Sequence, residues 1–236
     1  MRIAIVPKLV SIISVLDSMI KLKYKSWEDV TIPIYQELID IAKESNDGDD
    51  AFSNREIDIL AVLCDSDRES LGNLRLDDYA RLAQEAHFMH KMPFYTPTPT
   101  IVLSNTRFNV VVDVGKFTMA QYVDYNTLRA DVSTNIAQLV ACLLVPTDAK
   151  CYADGYDVGD VVKAINAELP YYKAFGMLHF FQLAQSAYLA NTLRLESKKM
   201  KQMARHLRGA ERTQMLKVSN NLRKAYISLG QCWLSK

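Results

Sequence analysis

Tyr95-Thr96-Pro97-Thr98-Pro99-Thr100-Ile101-Val102-Leu103-Ser104-Asn105-Thr106-Arg107-Phe108-Asn109-Val110-Val111-Val112 is the stretch that decides the fold class. Pro97 and Pro99, with Pro93 just upstream, fix φ and remove backbone donors, so no helix passes through Phe94 to Thr100. The chain therefore runs extended into Ile101-Val102-Leu103, turns at Ser104-Asn105-Thr106 and returns through Phe108 to Val112, which predicts a β-hairpin. Two strands alone are marginal in water. The apolar face must then lie on a helix or pair with another chain, which makes Ile101, Leu103, Phe108, Val110 and Val112 candidate partner-binding residues.

Both flanks of the hairpin read as helix. Downstream, Thr118 and Gln121 have capping-box spacing, in which hydroxyl and amide each satisfy an exposed backbone group. The apolar period then continues through Val123, Leu128, Ile136, Leu139, Val140 and Leu143 to Val145, and Pro146 stops it. Upstream, Thr31 with Pro33 starts a helix bearing Tyr35, Leu38, Ile39 and Ala42. Ser53 and Glu56 suggest a second capping box, ahead of Ile57, Leu60, Ala61 and Leu63. Asp77 or Asp78 begins a third helix, with Tyr79, Leu82, Ala86 and Met89 on its apolar face until Pro93. The acidic loop from Glu44 to Asp50 is a solvated turn, because aligning Gly48 with the glycine of a calcium loop puts Lys43 and Asn54 at ligand positions.

After Pro146 comes a loop carrying Tyr152, Asp154, Gly155, Tyr156 and Asp157, with Asp157 placed to cap a helix through Val158, Val161, Val162 and Ile165. Pro170 opens the longest helix, Gly209 breaks it, and a last helix runs from about Ala210 to Leu229. At the other end, Leu9, Ile12, Ile13, Leu16 and Ile20 recur at helical spacing and form an apolar stripe that wants a partner. No run approaches the roughly 18 to 20 apolar residues of a membrane span, so no span is expected. The organisation expected is an amphipathic helix over 1–25, a helical subdomain with the hairpin over 26–115, a second helical subdomain over 116–195 and a basic helical arm over 196–236. The fold class is mainly α, a helical bundle with a small β-hairpin insertion at about 100–113.

Composition places the chain among folded proteins: 236 residues, 49% hydrophobic, with a net charge of only +1. That charge is unevenly spread. From Arg194 to Lys236 eleven basic residues face two acidic ones, a net +9, which leaves −8 on the remainder. Lys198, Lys199, Lys201, Arg205, Arg208 and Arg212 lie one to four residues apart, a spacing that suits phosphates or an acidic protein surface without reading bases. Aromatic residues are not interleaved among these six, which argues against single-strand stacking.

Catalytic signatures are not found. The sequence holds no G-x-S-x-G, H-E-x-x-H, phosphate loop or dinucleotide fingerprint. His87 and His90 are three apart but no third metal ligand follows at a suitable spacing, and His179 beside Phe180 and Phe181 reads as a partly buried imidazole. Cys64, Cys142, Cys151 and Cys232 show no C-x-x-C spacing and read as reduced core residues. The expectation is a protein without enzymatic activity, cofactor or metal.

One group of proteins carries a similar set of features. The hairpin ending at Val112-Asp113, the helix start Thr118-Met119-Ala120-Gln121-Tyr122-Val123-Asp124, the Leu144-Val145-Pro146 stop, the Tyr152-to-Asp157 loop and the Phe180-Phe181 pair resemble virion and tail-assembly proteins of tailed bacteriophages of gut Bacteroidetes, the crAss-like phages among them. The resemblance covers about Trp27 to Leu195. It implies a virion structural or cargo protein, localised in the virion after assembly in the host cytoplasm and packed against other virion proteins or its own copies in a homo-oligomer. The alternatives it leaves are a tail-assembly chaperone absent from the mature particle and a protein making nonspecific DNA contact through the basic arm. It transfers no catalytic residue and has no counterpart for the first helix or the basic arm; the docking surfaces expected from the residues themselves are Leu9, Ile12 and Leu16, the hairpin, and the basic arm.

Overall fold

The computed structural model describes residues 20–43 and 51–231, with the side chains of 51–53 and 226–231 outside that description. Leu9, Ile12, Ile13 and Leu16, the acidic loop from Glu44 to Asp50, Cys232 and Trp233 all lie outside the described residues. The protein is mainly helical with one small antiparallel sheet of three strands, as the sequence implied. Its described residues form two compact units: those up to Phe94 with Asn166–Tyr172, and Tyr95–Ile165 with those from Lys173 on. The expected division near residue 115 falls inside the second unit.

In the first unit, helices α1 (Ile32–Lys43), α2 (Ala51–Cys64), α3 (Arg68–Gly72) and α4 (Leu76–Glu85) surround a core of Leu22, Leu38, Leu60, Leu63, Leu71 and Leu82. Two predicted starts differ. Ser53 lies in the first turn of α2 rather than before it, and Asp77 and Asp78 sit in the first turn of α4, with Arg75 at the N-cap. Carboxylates in a first turn still favour the helix through its dipole. Leu63 O accepts from the backbone N–H groups of Lys23 and Tyr24, which ties the entering strand of chain to α2. The Trp27 indole donates to Phe88 O and Lys91 O at 3.0 and 2.9 Å, fixing the 3₁₀ turn Ala86–His90 that follows α4. The returning segment is held by Tyr171 N donating to Val30 O at 2.8 Å, and by Tyr171 stacking on Tyr35.

The second unit is built on the hairpin. β1 (Thr100–Leu103) pairs with β2 (Thr106–Val110) through a two-residue turn in which Ser104 and Asn105 both have positive φ. That geometry matches the right-handed twist of the flanking strands. Leu144-Val145-Pro146, expected to end a helix, is instead a strand, β3 (Leu144–Pro146), antiparallel to β2. The expected long helix is divided into α5 (Met119–Leu128) and α6 (Ile136–Ala141). The cause is Asp131, whose carboxylate accepts from Ser133 Oγ, Thr134 N and Thr134 Oγ1, while Asn135 Nδ2 donates to Leu128 O. These local bonds offer the backbone a turn in place of the next helical turn.

Capping by Thr118 and Gln121 is present as expected: Thr118 Oγ1 accepts from Gln121 N at 3.1 Å, and Gln121 Oε1 accepts from Thr118 N at 3.3 Å. Gln121 is 1% exposed, and its Nε2 donates to Cys142 O. One side chain thus joins the start of α5 to the residues leading into β3. Helix α7 (Val158–Glu168) begins at Asp157, whose carboxylate accepts from Gly159 N at 2.7 Å. Helix α8 (Tyr171–Met203) brings Phe181 against Phe117 and Tyr125, with ring centroids 4.9 and 4.6 Å apart. Helix α9 (Gly209–Gln231) starts at Gly209, whose φ of +63° is one that side chains rarely adopt.

Two substitutions test this account. Gln121→Leu leaves the Cys142 carbonyl and the Thr118 N–H without partners, and should cost about 2–4 kcal/mol in urea unfolding with an unchanged m-value. A loss below about 0.5 kcal/mol would remove Gln121 from the centre of the fold. Gly176→Ala sets two effects against each other. Helix propensity favours alanine by about 1 kcal/mol, but its Cβ would lie 2.7 Å from Tyr95 Cβ and 2.8 Å from Tyr95 O. Overpacking against backbone costs about 1–3 kcal/mol, so a net loss of stability is expected and a gain would contradict the packing described.

Candidate interaction surfaces

The two last helices form an antiparallel hairpin, α8 turning through residues 204–208 into α9. Its seam is held by two serines that bond reciprocally: Ser197 Oγ donates to Ser219 O at 3.0 Å, and Ser219 Oγ donates to Ser197 O at 2.9 Å. Ala204 and Ser219 are buried, and Leu193, Met200, Met215, Leu216 and Leu222 are half-buried beside them. Small residues at the centre let the backbones approach closely. Lys198, Lys199, Lys201, Arg205, Arg208 and Arg212 are all exposed on this hairpin. Lys199 pairs with Glu196 at 2.8 Å. The basic arm therefore begins within the same long helix that carries the second unit's core, with no break at residue 196, and continues past Met203 through the turn into α9.

The β-hairpin residues divide by strand alternation. Leu103 and Phe108 are 3% and 4% exposed, so they serve the interior and not an outer docking face. Ile101, Val110 and Val112 are half-buried, and the exposed apolar residue of β1 is Val102. Sequence reasoning missed a second surface. On α5, Met119, Tyr122 and Val123 are 77%, 41% and 52% exposed at the i, i+3, i+4 spacing of one helical face. The signal was present as an apolar cluster at the start of the helix, of which only Val123 entered the apolar period.

Other candidate chemistry is occupied by structural work. Tyr156 OH donates to Leu144 O at 3.2 Å, and Tyr152 OH lies 3.8 Å from Cys142 Sγ, so the loop's aromatic residues anchor α6 and β3. Burial pushes the Cys142 thiol up to about 11, and burial also raises the Tyr152 phenol. His179 is exposed and stacks on Phe175, where a partly buried ring was expected. The His87 and His90 rings lie 4.6 Å apart, and no group of three side chains able to hold a metal occurs among the described residues. Of the cysteines, Cys64 and Cys142 are buried while Cys151 is exposed, outside the core where it was expected.

A groove of about 290 Å³ runs between α2 and α4, floored by Ile59, Leu60, Ala86 and Met89, with Arg55, Glu56, Tyr79 and His90 at its edge. Its size is at the small end of ligand sites. Burial, and next the charge of Glu56, raise the Tyr79 phenol. A raised phenol stays protonated and serves poorly as a base near neutral pH. Among the described residues no helix is long and apolar enough to cross a membrane. No protein-family model matches the chain, and no match is found among curated proteins or solved structures.

The buried thiol and phenols make stability depend on alkaline pH. Cys142 keeps its proton to about pH 11 when folded, whereas an unfolded thiol loses it near 9, so the unfolded state binds fewer protons between those values. Its contribution is complete below pH 9 and lost as pH rises towards 11. Stability should therefore fall with a slope of up to about 1.4 kcal/mol per pH unit from this group, and Tyr125 and Tyr152 add the same sign at higher pH. Urea midpoints at pH 8 and 10.5, compared with those of Cys142→Ala, check the assignment. Equal pH dependence in the two proteins would refute it.

Proposed function

We propose that this chain is a non-catalytic particle protein of a tailed bacteriophage, packing against copies of itself or against other virion proteins. The observation that carries the packing role is the exposed face of Met119, Tyr122 and Val123, displayed on a helix whose first turn is fixed by the Thr118–Gln121 capping box. Methionine and tyrosine are enriched in protein interfaces, and a rigid presenting element lowers the entropy cost of docking. The phage setting rests on the resemblance of the Thr118-to-Asp124 helix start, the Leu144-Val145-Pro146 segment and the Tyr152-to-Asp157 loop to virion and tail-assembly proteins.

Mass spectrometry of washed particles tests this reading. The chain is expected to remain at stoichiometric level, and its absence from particles whose assembly requires it would assign it instead to an assembly chaperone. Met119→Lys combined with Val123→Lys should leave unfolding within about 0.5 kcal/mol of the parent, since both positions are exposed. The same pair should lower incorporation at least tenfold.

A further inference from the structure

We infer that one face of the C-terminal helical hairpin binds the phosphate backbone of duplex nucleic acid without reading sequence. This goes beyond the packing role, which uses a different surface. The argument starts from the seam. Leu193, Ser197, Met200 and, just past the helix end, Ala204 define the side of α8 that meets α9, and Ser219 with Met215, Leu216 and Leu222 defines the side of α9 that meets α8.

At roughly 100° per residue, Arg194, Lys198 and Lys201 fall within an arc of about 60° on α8, a quarter-turn from that seam, and Arg205 follows in the turn just past the helix end. On the helix the first three form one cationic stripe roughly 10 Å long at 1.5 Å per residue, and Arg205 continues it into the turn. On α9, the exposed Arg212 and Arg223 fall towards the Leu216 edge of the seam, and because the helices are antiparallel that edge is the one where the α8 stripe lies. Six cations thus share one face of the hairpin. Among the described residues none of these six side chains makes an ion pair or a hydrogen bond.

What occupies the opposite face decides the kind of partner. By the same periodicity Glu196, Met203, Glu211 and Val218 project there, with Lys199 paired to Glu196. Both acidic residues of the C-terminal region, with the exposed Met203 and Val218, are therefore separated from the six cations, while Leu195, 57% exposed, lies on the side of α8 away from the seam. A protein interface needs apolar anchors at its centre and is depleted in lysine. The cationic face has neither property. Cations about 5–6 Å apart along an exposed ridge, without aromatic residues for stacking, fit a repeating line of phosphates.

Salt-dependent binding of the full chain to random-sequence duplex DNA, read by fluorescence anisotropy, tests the assignment. Six phosphate contacts predict a slope of log K against log salt of about −5, a loss of about a thousandfold between 50 and 200 mM salt. Replacing Arg194, Lys198, Lys201 and Arg205 together by Gln should bring the slope to about −2, with circular dichroism confirming retained helix. Replacing Lys217 and Lys224 by Gln, on the outer flank of α9, should leave the slope near the parent value. Absence of binding at 50 mM salt, an unchanged slope in the fourfold variant, or equally tight binding of polyglutamate would each overturn the inference.

Discussion

The second unit depends on one buried amide. Gln121 accepts from Thr118 N to close the first turn of α5, and donates to Cys142 O at the point where the chain leaves α6 for β3. A polar side chain 1% exposed is tolerable only when its groups are satisfied, and here both ends of the amide have partners. The consequence is positional. β3 is three residues long and would be a weak strand alone, but its entry is fixed by a bond to a capped helix, so it can pair with β2 in register, Phe108 opposite Pro146 and Val110 opposite Leu144.

That dependence also explains what the sequence disclosed and what it hid. The capping box was legible because Thr118 and Gln121 are local and their spacing is diagnostic. The hairpin was legible because prolines exclude helix and the apolar residues alternate. β3 was not. Leu143, Leu144 and Val145 continue the helical period of α6, and a short buried apolar run reads equally as helix or strand. What separated the two was a bond to residue 121, 21 positions away, together with a turn at Asp131 whose ligands Ser133 and Thr134 look ordinary in sequence. The helix starts in the first unit differ by a few residues: Ser53 has capping chemistry but lies in the first turn of α2.

The same division holds for the surfaces. Net charge by region was readable from composition, and the six basic residues at 198–212 are indeed all exposed. Their arrangement was not readable, because it needs the seam, and the seam is set by Ser197 and Ser219, two unremarkable residues 22 positions apart. Conversely, Leu103 and Phe108 had the right chemistry for docking but alternate inward, and Met119, Tyr122 and Val123 had the chemistry of a core but face out. Exposure of an apolar residue is decided by which neighbour the fold supplies, a tertiary fact that periodicity alone does not contain.

The hairpin's small-residue seam has an electrostatic cost. Along α8, Arg194 with Lys198 and Lys198 with Lys201 are like-charge neighbours at i+4 and i+3, each unfavourable by about 0.2–0.5 kcal/mol. Together they oppose the hairpin by up to about 1 kcal/mol, while a seam centred on Ser197, Ala204 and Ser219 buries less apolar area than leucines would. Added salt screens this repulsion and favours the isolated hairpin, whereas it weakens any contact made by counterion release. The two effects have opposite signs. A surface selected only for stability would interleave acids along the stripe, as Glu196 does for Lys199 on the other side, and leaving it uniformly positive makes physical sense where an anionic partner supplies the missing charge.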